Sequence, residues 1–274
     1  HLTPWVPRVN PPVPDRCPEC MDYWRDGHIR QFPTPYYGFQ TVDFVGGHGS
    51  YAFGPYIQWL KDRGGDPALL TPARALTQPT GAPECFKMSM PEELHYNRFI
   101  ADSTIHALQE SAGAQKPFFL WCSFPDPHAP FAPPSPYCDM YNPGDMPLPV
   151  RRDGELEDLP SIYTDVLTDK LRPNGCKSAG IPDEHWREMI ALTCGMVTHV
   201  DAEIGRVLNA LDRTGLRHNT LVIFVSDHGD MMGDHGLFCK AFYTFRGCIR
   251  IPMIVAAPGA PVGRTCPALV SQID

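Results

Sequence analysis

The chain has 274 residues, 43% of them hydrophobic, with 23 basic and 31 acidic side chains and a net charge of -8. That length and apolar content can bury a full core, which argues against a disordered chain. No Lys/Arg-rich block is present to neutralise a run of phosphates, so nucleic acid is a poor candidate partner. The longest apolar runs, residues 117–124 and 251–258, fall far short of the roughly 20 residues that cross a bilayer.

At the amino end, His1-Leu2-Thr3-Pro4 has neither the basic start nor the apolar core of a signal peptide, and no initiator Met. The chain is therefore expected to be an internal piece, its compartment open with the cytoplasm favoured. Ten cysteines are dispersed along it, and only Cys17 and Cys20 form a C-x-x-C pair, half of what a closed structural zinc site needs. The 31 prolines cluster in residues 4–18, in residues 125–149 and around Pro173, marking long irregular connections.

Between these connections the chain alternates helix and strand signals. Residues 89–92, SMPE, have the form of a capping box, and Leu94, Ile100, Ile105 and Leu108 continue at approximate helical spacing towards Gly113. Residues 118–124 are a continuous apolar run, as expected of a strand covered on both faces. From Pro182 and Asp183, Trp186, Met189, Ile190, Met196, Val197, Val200, Ile204, Val207, Leu208 and Leu211 mark one face of a long helix that Gly215 stops. Residues 221–225 and 252–257 both have the pattern of buried parallel strands. This alternation predicts a layered α/β domain with ligands beyond the carboxyl ends of the strands, and residues 1–274 are expected to be one incomplete domain.

Directly after residues 221–225, Asp227, His228, Gly229, Asp230, Gly233, Asp234, His235 and Gly236 crowd together. Carboxylate and imidazole suit a divalent cation, and glycines permit close backbone approach. A glycine-rich turn whose Asp and His cap the next segment accounts for the composition equally well.

The wording of residues 220–237, TLVIFVSDHGDMMGDHGL, followed by Lys240, closely resembles the sulfatase family of the alkaline-phosphatase-like superfamily. The resemblance extends to residues 249–259, IRIPMIVAAPG, to the ending VSQID of residues 270–274, and to residues 116–131, KPFFLWCSFPDPHAPF. It implies an α/β/α sandwich with a mostly parallel central sheet, incomplete in this chain. It also implies that Asp227 and His228 bind one divalent cation and that Lys240 contacts the anionic ester group. His128 becomes a substrate-binding imidazole and proton donor to the leaving oxygen.

His1 resembles the end of the family's Gly-Lys-x-His motif at the edge of the anion site. Residues 36–39, YYGF, and 46–49, GGHG, look like the branch that includes phosphonate monoester hydrolases, where His48 would help shape the substrate pocket. The family's nucleophile is a formylglycine made within Cys/Ser-x-Pro-x-Arg, and neither Cys17 nor Cys122 lies in that pattern.

The implied reaction is hydrolysis of a small-molecule sulfate monoester, with no nucleic-acid or membrane partner and with the oligomeric state open. Calcium, magnesium and manganese all accept carboxylates, and His228 tilts the choice towards manganese. Two other functions fit the residues: hydrolysis of a phosphonate monoester or phosphodiester, since these esters present similar oxygens to the same cation, and a non-catalytic binding module that keeps the fold.

Overall fold

The computed structural model describes residues 17–114, 116–172, 177–240 and 242–273. They form an α/β protein whose contacts fall into two compact units, one of His1–Asn142 with Ala191–Ala210, the other of Pro143–Ile190 with Leu211–Asp274. Six α-helices are described: α1 (Met21–Arg25), α2 (Pro55–Asp62), α3 (Tyr96–Ala114), α4 (Ser161–Leu167), α5 (Asp183–Arg213) and α6 (Arg246–Ile249). Two strands are described, β1 (Val222–Val225) and β2 (Met253–Ala256). Among these residues no helix is long and apolar enough to cross a membrane.

The first unit is built on the apolar faces of α2 and α3. Tyr56 and Leu60 of α2 and Tyr96, Phe99 and Ile100 of α3 close over Leu70, Phe86, Met88, Met90 and Ala132. Helix α3 begins later than the capping-box motif predicts. Ser89 Oγ lies 3.4 Å from the Leu69 carbonyl oxygen and caps nothing, and residues 92–94 form a separate 3-10 turn. His95 does the capping instead: its Nδ1 accepts the Asn97 N–H at 3.2 Å and its carbonyl accepts the Phe99 N–H at 3.2 Å.

Helix α5 runs as its periodicity predicts, from Asp183 after Pro182 to Arg213, with Gly215 just beyond it in the left-handed conformation. Val197, which the spacing placed on the apolar face, is instead half exposed, while His199 and Glu203 on that face are buried. Glu203 is 2% exposed and is held by Arg98 Nε of α3 at 2.9 Å and Arg206 Nη1 at 2.6 Å. Arg206 also reaches Asp102 of α3 at 2.6 Å. Removing one partner of a buried pair strands the other charge. Both guanidinium groups keep some solvent contact, so Glu203→Ala is expected to cost about 3 kcal/mol, the low end for such a loss. Urea unfolding checks this, and a loss under ~1 kcal/mol would show the network to be energetically idle.

In the second unit Leu156, Val166, Met231, Leu237, Tyr243 and Cys248 form the core, with Tyr163, Leu167 and Phe245 against it. The α/β class holds, but the strands correct the sequence reading. β1 and β2 pair antiparallel, Val222 opposite Ala256 and Val225 opposite Met253, where a parallel arrangement was expected. Nor are they buried: Ile223, Phe224, Val225, Met253, Ile254 and Val255 are all at least 41% exposed. Their β-branched composition makes them strands, whereas direction depends on the route of the connection between them. That connection runs through the 3-10 turn Asp234–Gly236 and the short α6, with no long crossover helix among the described residues.

Residues 118–124 are likewise extended but belong to no ladder among the described residues. Alternate residues Phe119 and Trp121 are over 70% exposed, while Cys122 and Phe124 pack on the first unit's core. One face is covered where two were expected, because a run apolar at every position does not reveal how many of its faces have a neighbour.

Candidate metal and substrate site

Beyond β1 the chain enters a loop pinned from several sides. Ser226 Oγ donates to the His228 carbonyl at 2.9 Å, and Gln272 Nε2 donates to the carbonyls of Ser226 and Asp227 at 2.7 and 3.0 Å. The Gly229 N–H donates to the Cys248 carbonyl at 2.7 Å, and the Met231 N–H to that of Cys239 at 3.0 Å. A Cβ on Gly229 would strike the Gly247 carbonyl oxygen, so only glycine lets the loop lie against α6.

Asp227 presents its carboxylate to solvent at 82% exposure, and His228 is half-buried beside it. The Asp227 Oδ1 accepts the His228 N–H at 2.9 Å. His228 Nδ1 faces the Gly229 carbonyl oxygen at 2.8 Å, and a carbonyl can only accept, so Nδ1 carries hydrogen and Nε2 is the nitrogen whose lone pair can serve a cation. That Nε2 lies 3.4 Å from Asp227 Oδ2. Two lone-pair donors so placed, with the imidazole oriented by a carbonyl on its other nitrogen, fit adjacent positions around one divalent cation.

Asp230 lies within the same loop, and burial pushes its carboxyl above the usual range, against the Met232 N–H it accepts at 3.0 Å and the charges of Lys240 and His228. Lys240 closes the loop, its carbonyl taking the Tyr243 N–H at 3.1 Å. A clamp holds the far side of the turn, where Asp234 Oδ1 accepts the Val150 N–H at 2.8 Å and His235 Nδ1 lies 2.9 Å from Glu155 Oε2.

His128 stands in the first unit. Its Nδ1 faces the Ala129 carbonyl at 2.6 Å, so that nitrogen carries hydrogen and any second proton resides on Nε2. The His48 ring stacks on it with centroids 3.7 Å apart and planes 29° apart. The structure thus brings His48 to His128, and Asp227, His228 and Lys240 to one loop of the second unit. The expectation for His1 lies outside the described residues.

Sequence reasoning missed a buried group behind His128. Asp126 Oδ1 accepts the Tyr96 hydroxyl at 2.5 Å and Oδ2 accepts Asn97 Nδ2 at 2.9 Å. Asn97 Nδ2 also faces His199 Nδ1 at 3.4 Å, and the His95 ring lies beside that of His199 with centroids 4.8 Å apart and planes tilted by 59°. Ligand-type atoms of His95, Asp126 and His199 lie within 4.8 Å of one another, the composition of a metal site. The hydrogen bonds oppose that reading. The Asn97 backbone N–H and side-chain Nδ2 can only donate, so both Nδ1 atoms accept and both Nε2 atoms carry hydrogen, the reverse of His228. The only signal in the sequence was polarity on the apolar face of α5; nothing linked it to Asp126, because the partners are far apart in the chain.

These groups also set a pH dependence. Burial, then the charge of Arg98, lowers His199 to about 4, and burial with His199 nearby holds His95 well below the usual histidine range. Burial lifts Asp126 to about 6 against its two hydrogen bonds. Between about 4 and 6.5 the unfolded chain takes up histidine protons that the folded one refuses, so this stability is full above pH 6.5 and is lost on acidification. Asp126 acts oppositely between 3.8 and about 6, where the folded form holds the extra proton. Two histidines against one carboxyl leave a net loss of stability from pH 6.5 towards 4. In His199→Gln the slope of urea stability against pH should become shallower, and an unchanged slope would contradict the assignment.

Comparison with known proteins places the chain in a family. A sulfatase family model matches residues 33–274. Over 169 residues the chain is 37% identical to an arylsulfatase of Clostridium perfringens, covering 61% of this chain and 33% of the relative. It is 35% identical over 177 residues to a multifunctional alkaline phosphatase superfamily protein of Trinickia caryophylli, covering 62% of this chain and 34% of that protein. Two solved structures are similar, both phosphonate monoester hydrolases. That from Silicibacter pomeroyi has a TM-score of 0.63 at 27% identity, covering 76% of this chain and 42% of that one. That of Agrobacterium radiobacter has a TM-score of 0.62 at 28% identity, covering 74% and 41%.

The fold is that of the alkaline-phosphatase-like α/β proteins. Within that superfamily, the chain belongs to the sulfatase family. It spans about a third of the length of the curated relatives it matches.

Proposed function

We propose that the protein to which this chain belongs is a metal-dependent sulfuric ester hydrolase acting on a small-molecule sulfate monoester. The observation that carries this reading is the pair of lone-pair donors after β1, His228 Nε2 and Asp227 Oδ2, 3.4 Å apart with the imidazole turned outward by the Gly229 carbonyl. Asp227 and His228 hold part of the cation's shell, and a bound cation supplies Lewis-acid polarisation of the ester and a lowered pKa for the attacking hydroxyl. Lys240 offers its ammonium to the ester oxygens, with Asp230 beside it in the same loop. His128, protonated on Nε2 and held through Nδ1–H on the Ala129 carbonyl, gives its proton to the leaving oxygen. His1 would contribute at the anion site, and His48 flanks the proton donor.

Calcium, magnesium or manganese fits a carboxylate-bearing site, and the imidazole favours manganese. The family's formylglycine motif has no counterpart in this sequence. Assay of the full-length protein with aryl sulfates, before and after chelation and on adding back each metal, tests the reading. Sulfate release that stops on chelation is the expected result, and release indifferent to complete metal removal would refute it.

A second reading is phosphonate monoester hydrolysis, favoured by the two similar structures, both phosphonate monoester hydrolases. Parallel kcat/KM values for aryl sulfate and aryl phosphonate decide between them.

A further inference from the structure

Resting on the reading of His128 as proton donor, we propose that the buried cluster of Asp126, Tyr96 and Asn97, closed by His95 and His199, is a positioning device for the His128 loop.

The loop is tied at both ends and on one face. At its entry, two residues before His128, the Asp126 carboxylate is held by Tyr96 and Asn97, both in the first turn of α3, at 2.5 and 2.9 Å. Tyr96, Asn97, His95 and His199 are each no more than 1% exposed, so water does not compete for these bonds. At its exit, the Phe131 N–H donates to the Glu84 carbonyl at 2.6 Å, and the Phe86 and Met88 N–H groups donate to the Phe131 and Pro133 carbonyls at 3.3 and 3.2 Å. Between these ties, Gly49 packs so closely on the Pro130 ring that a Cβ there would collide with it, which seats His48 against the His128 imidazole.

Such fixation matters because proton donation depends on placement. As the bond from sulfur to the ester oxygen breaks and its electron pair stays on that oxygen, the Nε2 proton of His128 moves to it. The ring is left neutral with Nδ1–H still on Ala129. Displacing a donor by about 1 Å can cost on the order of a hundredfold. An anchored carboxylate two residues away, fixed to the start of a helix, limits that displacement. The cluster is not used as a cation site, since both imidazoles spend their Nδ1 lone pairs on Asn97 donors.

The test is the dependence of kcat on leaving-group pKa across a series of aryl sulfates, in full-length wild type, His128→Ala, Asp126→Asn and Tyr96→Phe. Asp126→Asn keeps the shape but faces Asn97 and Tyr96 donors with an amide, and Tyr96→Phe removes a single hydroxyl should Asn prove unstable. Both variants are expected to lose about 10- to 100-fold in kcat on poor leaving groups, with little change on good ones, KM or bound metal. His128→Ala should show the same steepening more strongly. If His128→Ala steepens the series but Tyr96→Phe and Asp126→Asn lower all rates uniformly or not at all, the positioning role is overturned. A series left flat by His128→Ala itself would overturn the proton-donor reading. A second equivalent of bound metal that disappears in Asp126→Asn would also overturn the positioning role, by making the cluster a cation site.

Discussion

Asp227→Ala in the full-length protein is expected to lose its bound cation and, with it, essentially all turnover, while remaining folded. The carboxylate is 82% exposed, so its removal sacrifices almost no burial. Its local partner is the His228 N–H, which solvent can satisfy when Oδ1 is gone. The loop itself is held by backbone bonds from Gly229 to Cys248 and from Met231 to Cys239 and by the Gln272 side chain, none of which involves the Asp227 side chain. A cation, by contrast, loses an anionic ligand and keeps only a neutral imidazole from this pair. Metal analysis after gel filtration, circular dichroism and turnover together check the prediction. Thermal stability supplies a further sign: added metal raises the melting temperature of the wild type by mass action and should leave that of the variant unmoved. A fully metallated and active Asp227→Ala protein would remove Asp227 from the site.

The second large effect is expected at Lys240. In the proposed reaction its ammonium acts on charge that builds up on the ester oxygens, and deleting one such preorganised contact typically costs about 100- to 1,000-fold in turnover. Metal content and fold should survive, because what anchors this stretch is backbone, the Lys240 carbonyl to Tyr243 and the Cys239 carbonyl to Met231. Lys240→Ala should also let burial push the Asp230 carboxyl further up, since Lys240 is one of the charges pulling it down. Single-turnover rates for Lys240→Ala and Lys240→Arg separate charge from shape: Arg restores charge but not a compact point donor, so partial recovery is expected. Rates within threefold of wild type in Lys240→Ala would exclude it from the site.

Much of this is legible in the sequence, and unevenly so. The helix from Asp183 to Arg213 was visible because its apolar residues recur with the helical period and Gly215 supplies a left-handed stop. The start of the helix over Tyr96–Ala114 was misplaced because a capping box is a local pattern, whereas the cap used is the imidazole of His95, a residue rarely expected there. Strand character in residues 221–225 and 252–257 was visible from β-branched composition, but direction and exposure were not, since both depend on which neighbours a strand meets.

The sequence by itself determined the family and the short-range chemistry: Asp227 and His228 are adjacent in the chain, so their proximity follows from covalent geometry, and the long signature around them identifies what they resemble. Only the tertiary structure decided the protonation pattern and the distant partners. Which nitrogen of His228 or His128 holds hydrogen depends on where a neighbouring carbonyl points, and that is a matter of backbone dihedral angles. The gathering of Asp126, Asn97 and His199 depends on packing two helices whose residues lie some hundred positions apart, which no local pattern encodes. The physical reason is one of range: periodicity and motif report interactions within a few residues, whereas the placement of a buried polar group is decided by every element that closes over it.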